Sequence, residues 1–326
     1  MPDSPSSNPA FLKTLATMPI NGRDVTSPAE SPYFLPNILM ECKRLDLEHF
    51  IYHRFFQQHF FAPIGQSHHI AGATTGSWTD RVIERALQRE IAPDPSAPKR
   101  ILDIGCGTGQ WAMAMAKQFP NAWVVGLDSV APARPFPVPL PANFTFLEAN
   151  ILHGLPAFGD ASFDFVHMRC LGWGIPAQQW QHVIDELARV TVPGGWIETV
   201  EADLPHDTGP AFATVRTMLE TILAARGVDL ACSRRIDSYL RHATPSVHAI
   251  SSYTRDIPLG AAGGGHGARM AWNVLLQLDV LAPFFLQTHC WDAPTWQALR
   301  AQIEAEFNLE DAQPSVTMSI AMGQKK

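Results

Sequence analysis

A glycine-rich segment, residues 101–111, constrains the fold more than any other part of the chain. Its apolar start contains one acid, Asp103, and three alternating glycines follow before a run of helix-forming residues at 111–117. This order predicts a strand, a tight turn and the N-terminus of a helix, which together bind nucleotide-like ligands. Glycine in the turn permits unusual backbone angles and lets a ligand approach the main chain closely.

The acid inside this segment indicates which nucleotide-like ligand fits. A carboxylate at Asp103 repels a pyrophosphate, but it suits a ligand that carries a cationic amine and a neutral adenosine. The dinucleotide-binding pattern also requires glycine where this chain has Gln110. We therefore predict that the segment binds S-adenosylmethionine rather than NAD, through Asp103, Gly105, Cys106, Gly107, Gly109 and Trp111.

Two later positions extend this predicted cofactor site. Asp128 follows Gly105 by 23 positions and ends the second predicted strand, where an acid accepts both ribose hydroxyls. Its alternative role is a helix cap, and the adjacent Ser129 is assigned to the same site. Past the third strand, the amide of Asn150 and the backbone N–H of Ile151 are placed to recognise adenine, although asparagine is also common in turns.

Three residues are candidates for proton transfer. His167 ends the fourth predicted strand, in the crevice where such sheets bind ligands, and its pKa range suits general acid–base chemistry. We assign it to catalysis and to the cofactor site, with a hydrogen-bonding or packing role left open. Glu201, near the carboxyl end of the fifth strand beside Asp203, is placed to orient an acceptor or take its proton, and His206 is the third candidate.

Composition excludes several classes of function. The balance of 24 basic and 31 acidic residues gives a net charge of −7, which disfavours a nucleic-acid partner. The five cysteines are odd in number and widely spread, as in reduced thiols of a cytosolic protein. No spacing of ligands indicates a metal, no apolar run is expected to span a membrane, and no signal-peptide pattern is present. We therefore expect a cytoplasmic protein, and the oligomeric state stays open.

The chain divides into four predicted parts. Residues 1–37 form a poorly ordered arm, and 38–98 form a helical lid with helices at 38–61 and 79–91. In residues 99–204, five strands alternate with helices, which predicts a parallel sheet that binds the cofactor. Residues 205–326 are predicted to be a helical cap followed by the last strands, with a mobile loop at 260–267.

Several motifs resemble class I S-adenosylmethionine-dependent methyltransferases, namely residues 103–109, Asp128, the strand 163–167 and the turn 193–196. Four others are similar to the group that includes the fungal global regulator of secondary metabolism, at positions 33–37, 43–49, 107–112 and 257–260. The resemblance implies an α/β fold with a Rossmann-like, doubly wound, seven-stranded sheet whose last strand is antiparallel. The final pair of strands is then 247–257 and 315–322.

The resemblance also implies that the segment around Tyr33 and Arg44 folds over the cofactor. Arg44 then pairs with the carboxylate of the cofactor, and the alternative is a solvated charge on a helix. Two positions depart from the family, which places acids near Asn150 and often near Cys170. Because both residues are neutral here, contacts to adenine and the chemistry of the acceptor are expected to differ.

These observations predict a methyltransferase that acts on a small-molecule acceptor. Aromatic and apolar residues of the lid and cap indicate a largely apolar acceptor pocket, built from Phe50, Tyr52, Phe55, Phe56, Phe60, Phe61, Trp173, Met270 and Trp272. Methylation of carbon, oxygen or nitrogen is equally compatible with the sequence. Two alternatives stay open: a cofactor-binding regulatory or scaffold protein without turnover, and a catalyst of a non-methylating rearrangement on the same fold.

Overall fold

A mixed sheet of seven strands forms the centre of the part of the chain that the computed structural model describes, residues 32–64, 98–309 and 311–326. The strands are β1 (Arg100–Ile104), β2 (Trp123–Asp128), β3 (Phe144–Glu148), β4 (Phe163–Arg169), β5 (Thr191–Ala202), β6 (Val247–Pro258) and β7 (Ser315–Lys325). Their spatial order is β3-β2-β1-β4-β5-β7-β6.

The direction of the strands confirms the expected doubly wound topology. Strands β1 to β5 pair in parallel, whereas β7 is antiparallel to both β5 and β6. The chain leaves β1 toward β2 on one side, and β4 lies against β1 on the other side. The strand order therefore reverses between β1 and β4, which opens a crevice outside their carboxyl ends.

Helices cover both faces of this sheet in the described ranges. They are α1 (Leu39–Phe56), α2 (Gln110–Gln118), α3 (Trp180–Val190), α4 (Pro210–Ala225), α5 (Ile236–Arg241), α6 (Gly264–Gln287) and α7 (Ala293–Phe307). Alternation along β1 sends Ile101 into the core layer under α2 and α6, and sends Leu102 and Ile104 into the layer under α3. Asp103 has the parity of Ile101, so it lies on the face of the sheet that carries α1 and α2.

The lid differs from its prediction in length. Helix α1 ends at Phe56 rather than at 61, because Gln57 takes a left-handed conformation and its N–H bonds to the carbonyl of His53. Residues 57–64 then follow an irregular path back to the sheet. The predicted helix at 79–91 and most of the predicted arm lie outside the described residues, so the four proposed domain boundaries stay predictions.

The glycine-rich stretch at 260–267 is not a loop throughout, which corrects the sequence-based expectation. Helix α6 begins at Gly264, and the N–H of Gly260 bonds to the carbonyl of Gly267 at 2.9 Å. A Cβ atom on Gly260 would lie 1.5 Å from the carbonyl oxygen of Phe307. At this position glycine is therefore needed for close packing against α7.

The prediction that no apolar run could span a membrane also needs a correction. Residues Ala261–Gln287 are long and apolar enough to pass for a membrane span by length and composition. Of the 18-residue window that meets this test, 56% is buried inside the fold, as in the core helices of many proteins. Length and composition are thus weak evidence for a span, and the expected absence of a membrane partner stays a prediction.

Candidate active site

A cavity of about 240 Å³ opens at the carboxyl ends of β1 and β4, beneath α1. Residues from the glycine turn, the carboxyl ends of four strands, the start of β7, α1 and α6 contribute to its wall. The structure brings all of the predicted site residues to this wall except Gly109 and His206. The place in the fold agrees with the crevice at the switch point of the sheet.

The glycine turn after β1 forms one side of the cavity. Gly105 and Gly107 have φ angles of 67° and 54°, in the left-handed region that favours glycine. A Cβ atom on Gly105 would overlap the side chain of Leu171 at 2.2 Å. Gly109 precedes α2 with a φ of 73° and faces Phe136 instead of the cavity. The structure thus gives Gly109 a role in starting the helix, and its contact with the cofactor stays a prediction.

Asp103 is the buried acid at the bottom of this turn. Its Oδ1 atom accepts a hydrogen bond from Nδ1 of His167, at 2.9 Å. Its Oδ2 atom is also buried and has no hydrogen-bond partner among the residues that the structure describes. An unpaired carboxylate oxygen in the interior is costly, so a cationic group delivered into the cavity is strongly favoured there.

His167 is enclosed rather than open to the cavity. Its ring stacks on Trp111 with centroids 3.7 Å apart, and its Nε2 atom lies 3.9 Å from Oε1 of Glu198. Burial lowers the pKa of His167, against the opposing effect of Asp103, so the ring is neutral. Since both nitrogens face carboxyl groups, the geometry favours the hydrogen-bonding role over that of a base for the acceptor.

The end of β2 and the segment after β3 form the opposite side. Oδ2 of Asp128 accepts the N–H of Gly107 at 2.9 Å, and the exposed hydroxyl of Ser129 lies 3.4 Å from Oδ1 of Asp128. Oδ1 of Asn150 accepts the N–H of Leu152 and so caps the short helical turn Ile151–His153. The turn role of Asn150 is thus present, and its contact with adenine stays a prediction.

Cys106 lies between these two sides, on the cavity wall. Burial raises the pKa of its thiol well above the ordinary range, and the nearby Asp103 and Asp128 add to the effect. The side chain is therefore a neutral thiol, suited to contact with an uncharged part of a ligand. Its sulfur also lies close enough to β2 that a Cβ atom on Gly126 would be 3.0 Å away.

Arg44 was predicted either to pair with the carboxylate of the cofactor or to be a solvated charge on a helix, and both interpretations assume a guanidinium without an acid beside it. Its side chain is buried and bonds to both oxygens of Glu41 at 2.7 Å and to Glu48 at 2.5 Å, so it is not a solvated charge. Although burial opposes the charge, Glu48 and Glu41 outweigh it and raise the pKa of Arg44 well above its ordinary value. Two acids of its own helix therefore neutralise Arg44.

Arg169 is a second arginine on the wall, which the sequence analysis did not single out. It ends β4, contacts Nδ1 of His49 at 3.3 Å and lies over the ring of Tyr52 at 5.2 Å. No carboxylate lies within 4.0 Å of its guanidinium in residues 32–64, 98–309 and 311–326. Its position at a carboxyl strand end was a usable signal, since predicted ligand residues occupy the ends of neighbouring strands.

Of the three candidate bases, Glu201 and His167 lie on the cavity wall. The oxygens of Glu201 accept the N–H groups of Leu171 and Gly172 at 2.9 Å each, and burial raises its pKa to about 7. His206 lies off the wall because its nitrogens contact Asp207 at 2.7 Å and Thr317 at 2.8 Å. The structure thus does not bring His206 together with the other candidates.

The aromatic pocket also differs from the prediction. Of the nine residues expected to form it, Tyr52 and Trp173 line the cavity. Phe50 and Trp272 are exposed, Met270 is buried in the core, and the remaining lid aromatics pack on one another and on the sheet, namely Phe55, Phe56, Phe60 and Phe61. Apolar side chains from other segments join Trp173 instead, at Leu35, Leu204, Val274 and Val316, beside the polar Gln277.

A family comparison identifies the segment that carries this site. The model of a methyltransferase domain matches residues 101–195, which run from β1 through the turn into β5. By this match, residues 101–195 are a methyltransferase domain. Its glycine turn, Asp103 and Asp128 lie inside the matched residues, whereas the lid and the last two strands lie outside them.

Three curated relatives match a larger part of the chain. "Methyltransferase str3" and "Methyltransferase str2" of Strobilurus tenacellus are 39% identical over 126 residues and 33% identical over 165 residues. These segments cover 38% and 48% of this chain, and 43% and 58% of the relatives. "Secondary metabolism regulator laeA" of Aspergillus fumigatus is 32% identical over 203 residues, 61% of this chain and 45% of that protein. The chain thus spans about half the length of the curated relatives it matches.

Two solved structures are similar at low identity. Phosphoethanolamine N-methyltransferase 2 of Haemonchus contortus, in complex with S-adenosyl-L-methionine, is 17% identical with a TM-score of 0.41, covering 86% of this chain and 57% of that one. The [4+2]-cyclase SpnF is 17% identical with a TM-score of 0.41, covering 88% of this chain and 94% of that one.

The residues of the methyltransferase domain fit S-adenosylmethionine, its cofactor. The Oδ2 atom of Asp103, which has no hydrogen-bond partner in the described part of the chain, suits the amine, and the turn at Gly105 and Gly107 leaves the main chain accessible. Arg169 is a cation without a carboxylate partner in the described ranges, on the same face of the sheet as Asp103. Within these ranges no group of three histidine, cysteine or acidic residues is placed to hold a metal ion, and the expected independence from metals stays a prediction.

Proposed function

We propose that the chain is a methyltransferase that transfers the methyl group of S-adenosylmethionine to a small-molecule acceptor. The observation that carries the proposal is the buried Oδ2 atom of Asp103, which has no hydrogen-bond partner among the described residues and lies beneath the glycine turn of a methyltransferase domain. A buried carboxylate is kept unpaired at a cost that a bound cation removes. The cavity beside it extends past the turn to wall residues of α6 and β7, which leaves space for an acceptor.

In this proposal, the amine and the carboxylate of the cofactor each meet a residue of opposite charge. Asp103 binds the amine, Arg169 binds the carboxylate, and Asp128 accepts the ribose hydroxyls. The cofactor supplies an electrophilic methyl group when bound. The contribution of the chain is to hold the acceptor in line with that methyl group and to exclude water, since proximity and orientation provide much of the acceleration in such a transfer.

Glu201 is the proposed base for an acceptor with an acidic proton. It lies on the wall, and its pKa of about 7 leaves a substantial ionised fraction at neutral pH. A carboxylate has about four lone-pair sites, so two bonds from backbone N–H groups leave it able to accept a proton. Activity that depends on Glu201 is expected to rise with pH through about 7, because the base acts only when it is ionised.

The residues of the cavity wall favour an acceptor that is a largely apolar metabolite with at least one polar group. Trp173, Leu204 and Val274 provide apolar area, and Gln277 adds a hydrogen-bonding side chain. The acceptor atom, whether carbon, oxygen or nitrogen, is identified by the product of the reaction.

A cofactor-binding regulator without turnover is the second candidate function. Its supporting observation is that several relatives bear the name "Secondary metabolism regulator". In this case the cofactor would be bound through the same residues, and no methyl group would leave it in a small product.

One experiment separates the two functions. The protein is incubated with cofactor labelled in the methyl group and with pooled small metabolites, and the label is followed by mass spectrometry. Label in a small product is the expected result, and it should be lost in Asp103→Asn, which keeps the shape of the side chain but removes the charge. Cofactor binding by calorimetry without label in any small product would contradict the first function and favour the regulator or a non-methylating catalyst.

We also propose a reducing, cytoplasmic location for the protein. The five cysteines are all free, and burial raises the pKa values of Cys106, Cys170 and Cys232 above the ordinary value for a thiol. Alkylation of the protein denatured directly from its own cells is expected to label all five thiols, whereas a disulfide found without added oxidant would contradict this location.

A further inference from the structure

Glu198 is a buried carboxyl group that lies between the lid and the cofactor site. It is on β5 and has no solvent exposure. Its Oε2 atom accepts the backbone N–H groups of Phe61 and Ala62, at 2.6 Å each. Its Oε1 atom is buried without a hydrogen-bond partner in the described ranges and lies 3.9 Å from Nε2 of His167.

The other ring nitrogen of His167 determines what Nε2 can do. A neutral imidazole carries one N–H, and Nδ1 must supply it because the carboxylate of Asp103 can only accept. Nε2 then presents a lone pair toward Glu198. If Glu198 were ionised, two acceptors would face each other in the interior, whereas a protonated Glu198 would place its O–H opposite the lone pair.

We propose that Glu198 is protonated in the folded domain and donates to Nε2 of His167, so that one hydrogen-bonded chain links the lid to the carboxylate that binds the cofactor amine. The chain runs from the N–H groups of Phe61 and Ala62 through Glu198 and His167 to Asp103. A shift of about 1 Å brings Oε1 and Nε2 to hydrogen-bond distance. Glu198 is thus a positioning residue, and its role rests on the cofactor site proposed above.

The charges around the pair agree with a protonated Glu198. Burial raises the pKa of Glu198 to about 7, against the two N–H groups of the lid and the cation of Arg169. Among the other titratable groups near the pair, burial lowers the pKa of His49 to about 2 and that of His59 to about 4 and raises that of Tyr253 to about 12, so these three are neutral. His53 stacks on His59 with ring centroids 4.0 Å apart.

A second set of contacts connects the same lid segment to His167. The indole N–H of Trp111 donates to the carbonyl of His59 at 2.6 Å, and Trp111 stacks on the imidazole of His167. The lid segment is therefore connected to His167 by two routes, through Trp111 on the face of its ring and through Glu198 at Nε2. Because a coupling free energy acts equally in both directions, cofactor binding at Asp103 is expected to hold the lid more firmly on the sheet.

The test compares Glu198→Gln with Glu198→Ala. A glutamine reproduces the protonated form, since its oxygen accepts from Phe61 and Ala62 and its NH₂ group donates to His167 at any pH. Alanine provides neither group. We expect Glu198→Gln to bind S-adenosylmethionine within about threefold of the unmodified protein at pH 6.5, and Glu198→Ala to bind about tenfold more weakly and to be cleaved faster by protease within 57–64.

The dependence of cofactor affinity on pH distinguishes this role from a purely structural one. Between pH 6.5 and 8.5, affinity of the unmodified protein is expected to fall several-fold more than that of Glu198→Gln, because only the former loses its O–H. Titration of the cofactor amine affects both proteins equally. Identical pH profiles, or a Glu198→Gln defect as large as that of Glu198→Ala, would overturn the inference, whereas no binding by the unmodified protein would overturn the cofactor site itself.

Discussion

Two arginines on the cavity wall differ in what surrounds them, and this difference determines what each can bind. Arg44 has two carboxylates of its own helix at hydrogen-bond distance, so a further anion gains little from its charge. Arg169 has an imidazole and an aromatic ring beside it, and no carboxylate in the described ranges. Arg169 follows His167 by two residues on β4, while Asp103 pairs with His167 across the sheet. Asp103 and Arg169 thus place opposite charges on one face of the sheet, which suits the ammonium and the carboxylate of the cofactor in the proposed site.

Replacement of Arg169 by methionine tests this assignment. We expect the affinity for S-adenosylmethionine to fall about tenfold to a hundredfold, because a charged hydrogen bond contributes about 1.5–3 kcal/mol. The affinity for the decarboxylated cofactor should hardly change, since that ligand has no carboxylate to lose. Calorimetry with both ligands measures the discrimination directly.

Arg44→Met is the matched control for this variant. It removes the arginine to which Glu41 and Glu48 bond, so it is expected to lower the melting temperature, since breaking a buried ion pair costs about 3–5 kcal/mol. Discrimination between the two cofactor forms should persist. If discrimination disappears in Arg44→Met and persists in Arg169→Met, the carboxylate is bound by Arg44 as the family resemblance implies.

The partners of these residues also show what a sequence can reveal about a site. Glu41 and Glu48 stand three residues before and four residues after Arg44, a spacing that places them together on any helix, so that ion pair was readable in advance. Contacts of Arg169 with His49, and of Glu198 with Phe61, join positions 120 and 137 residues apart. Such contacts depend on how the lid packs on the sheet, which no local pattern specifies.

At the scale of elements, α2 connects the glycine turn to the rest of the core. It has nine residues, too few to be stable alone, and tertiary contacts hold both of its ends. The side-chain amide of Asn143 lies at its C-terminus, within hydrogen-bond distance of the carbonyls of Ala116, Phe119 and Ala122, at 3.0, 3.1 and 2.8 Å. One side chain thus satisfies carbonyls that would otherwise lack a donor.

Asn143→Ala is expected to destabilise the domain by about 1–3 kcal/mol, because it removes the donor from partly buried carbonyls. Urea unfolding measures the loss. Asn308→Ala is the matched control: this asparagine follows α7, is exposed, and donates to one carbonyl, that of Glu304 at 2.8 Å. Its replacement should cost less than about 0.5 kcal/mol. Equal losses in the two variants would contradict the importance given to Asn143.

Elements of the core were predictable where burial leaves a strong local pattern. The local pattern predicts strands at 122–127, 144–147 and 163–168, and β2, β3 and β4 lie within one residue of these bounds, since each is a short apolar run closed by a turn or an acid. Helix α1 was predicted five residues too long, because residues 57–61 keep the aromatic pattern after Gln57 has ended the helix. The antiparallel last strand and the pairing of the final two strands came from the family resemblance, since local patterns do not specify which strands are neighbours.

At the scale of the whole molecule, buried titratable groups of opposite kind balance one another. Glu198 and Glu201 have pKa values of about 7 in the folded state, against 4.5 as the ordinary value. Their contribution to stability is present below pH 4.5 and is lost as the pH rises through 7. Burial lowers the pKa values of His49, His59 and His167 below 6.5, so their contribution is present above pH 6.5 and is lost as the pH falls.

Because the contributions of the glutamates and of the histidines change in opposite directions with pH, we expect the free energy of unfolding to change little between pH 5.5 and 8.5. A substitution that removes one of these groups should make the free energy of unfolding depend more strongly on pH. Relative to the unmodified protein, Glu198→Gln should gain about 1–2 kcal/mol as the pH rises across this window, because one destabilising ionisation is removed. His49→Gln should show the opposite slope, with a relative gain of about 1 kcal/mol as the pH falls, because its unfolded state no longer takes up a proton. Urea unfolding at pH 5.5, 7 and 8.5 measures both slopes. Slopes of the same sign would mean that one of these two groups does not have the protonation state that its burial indicates.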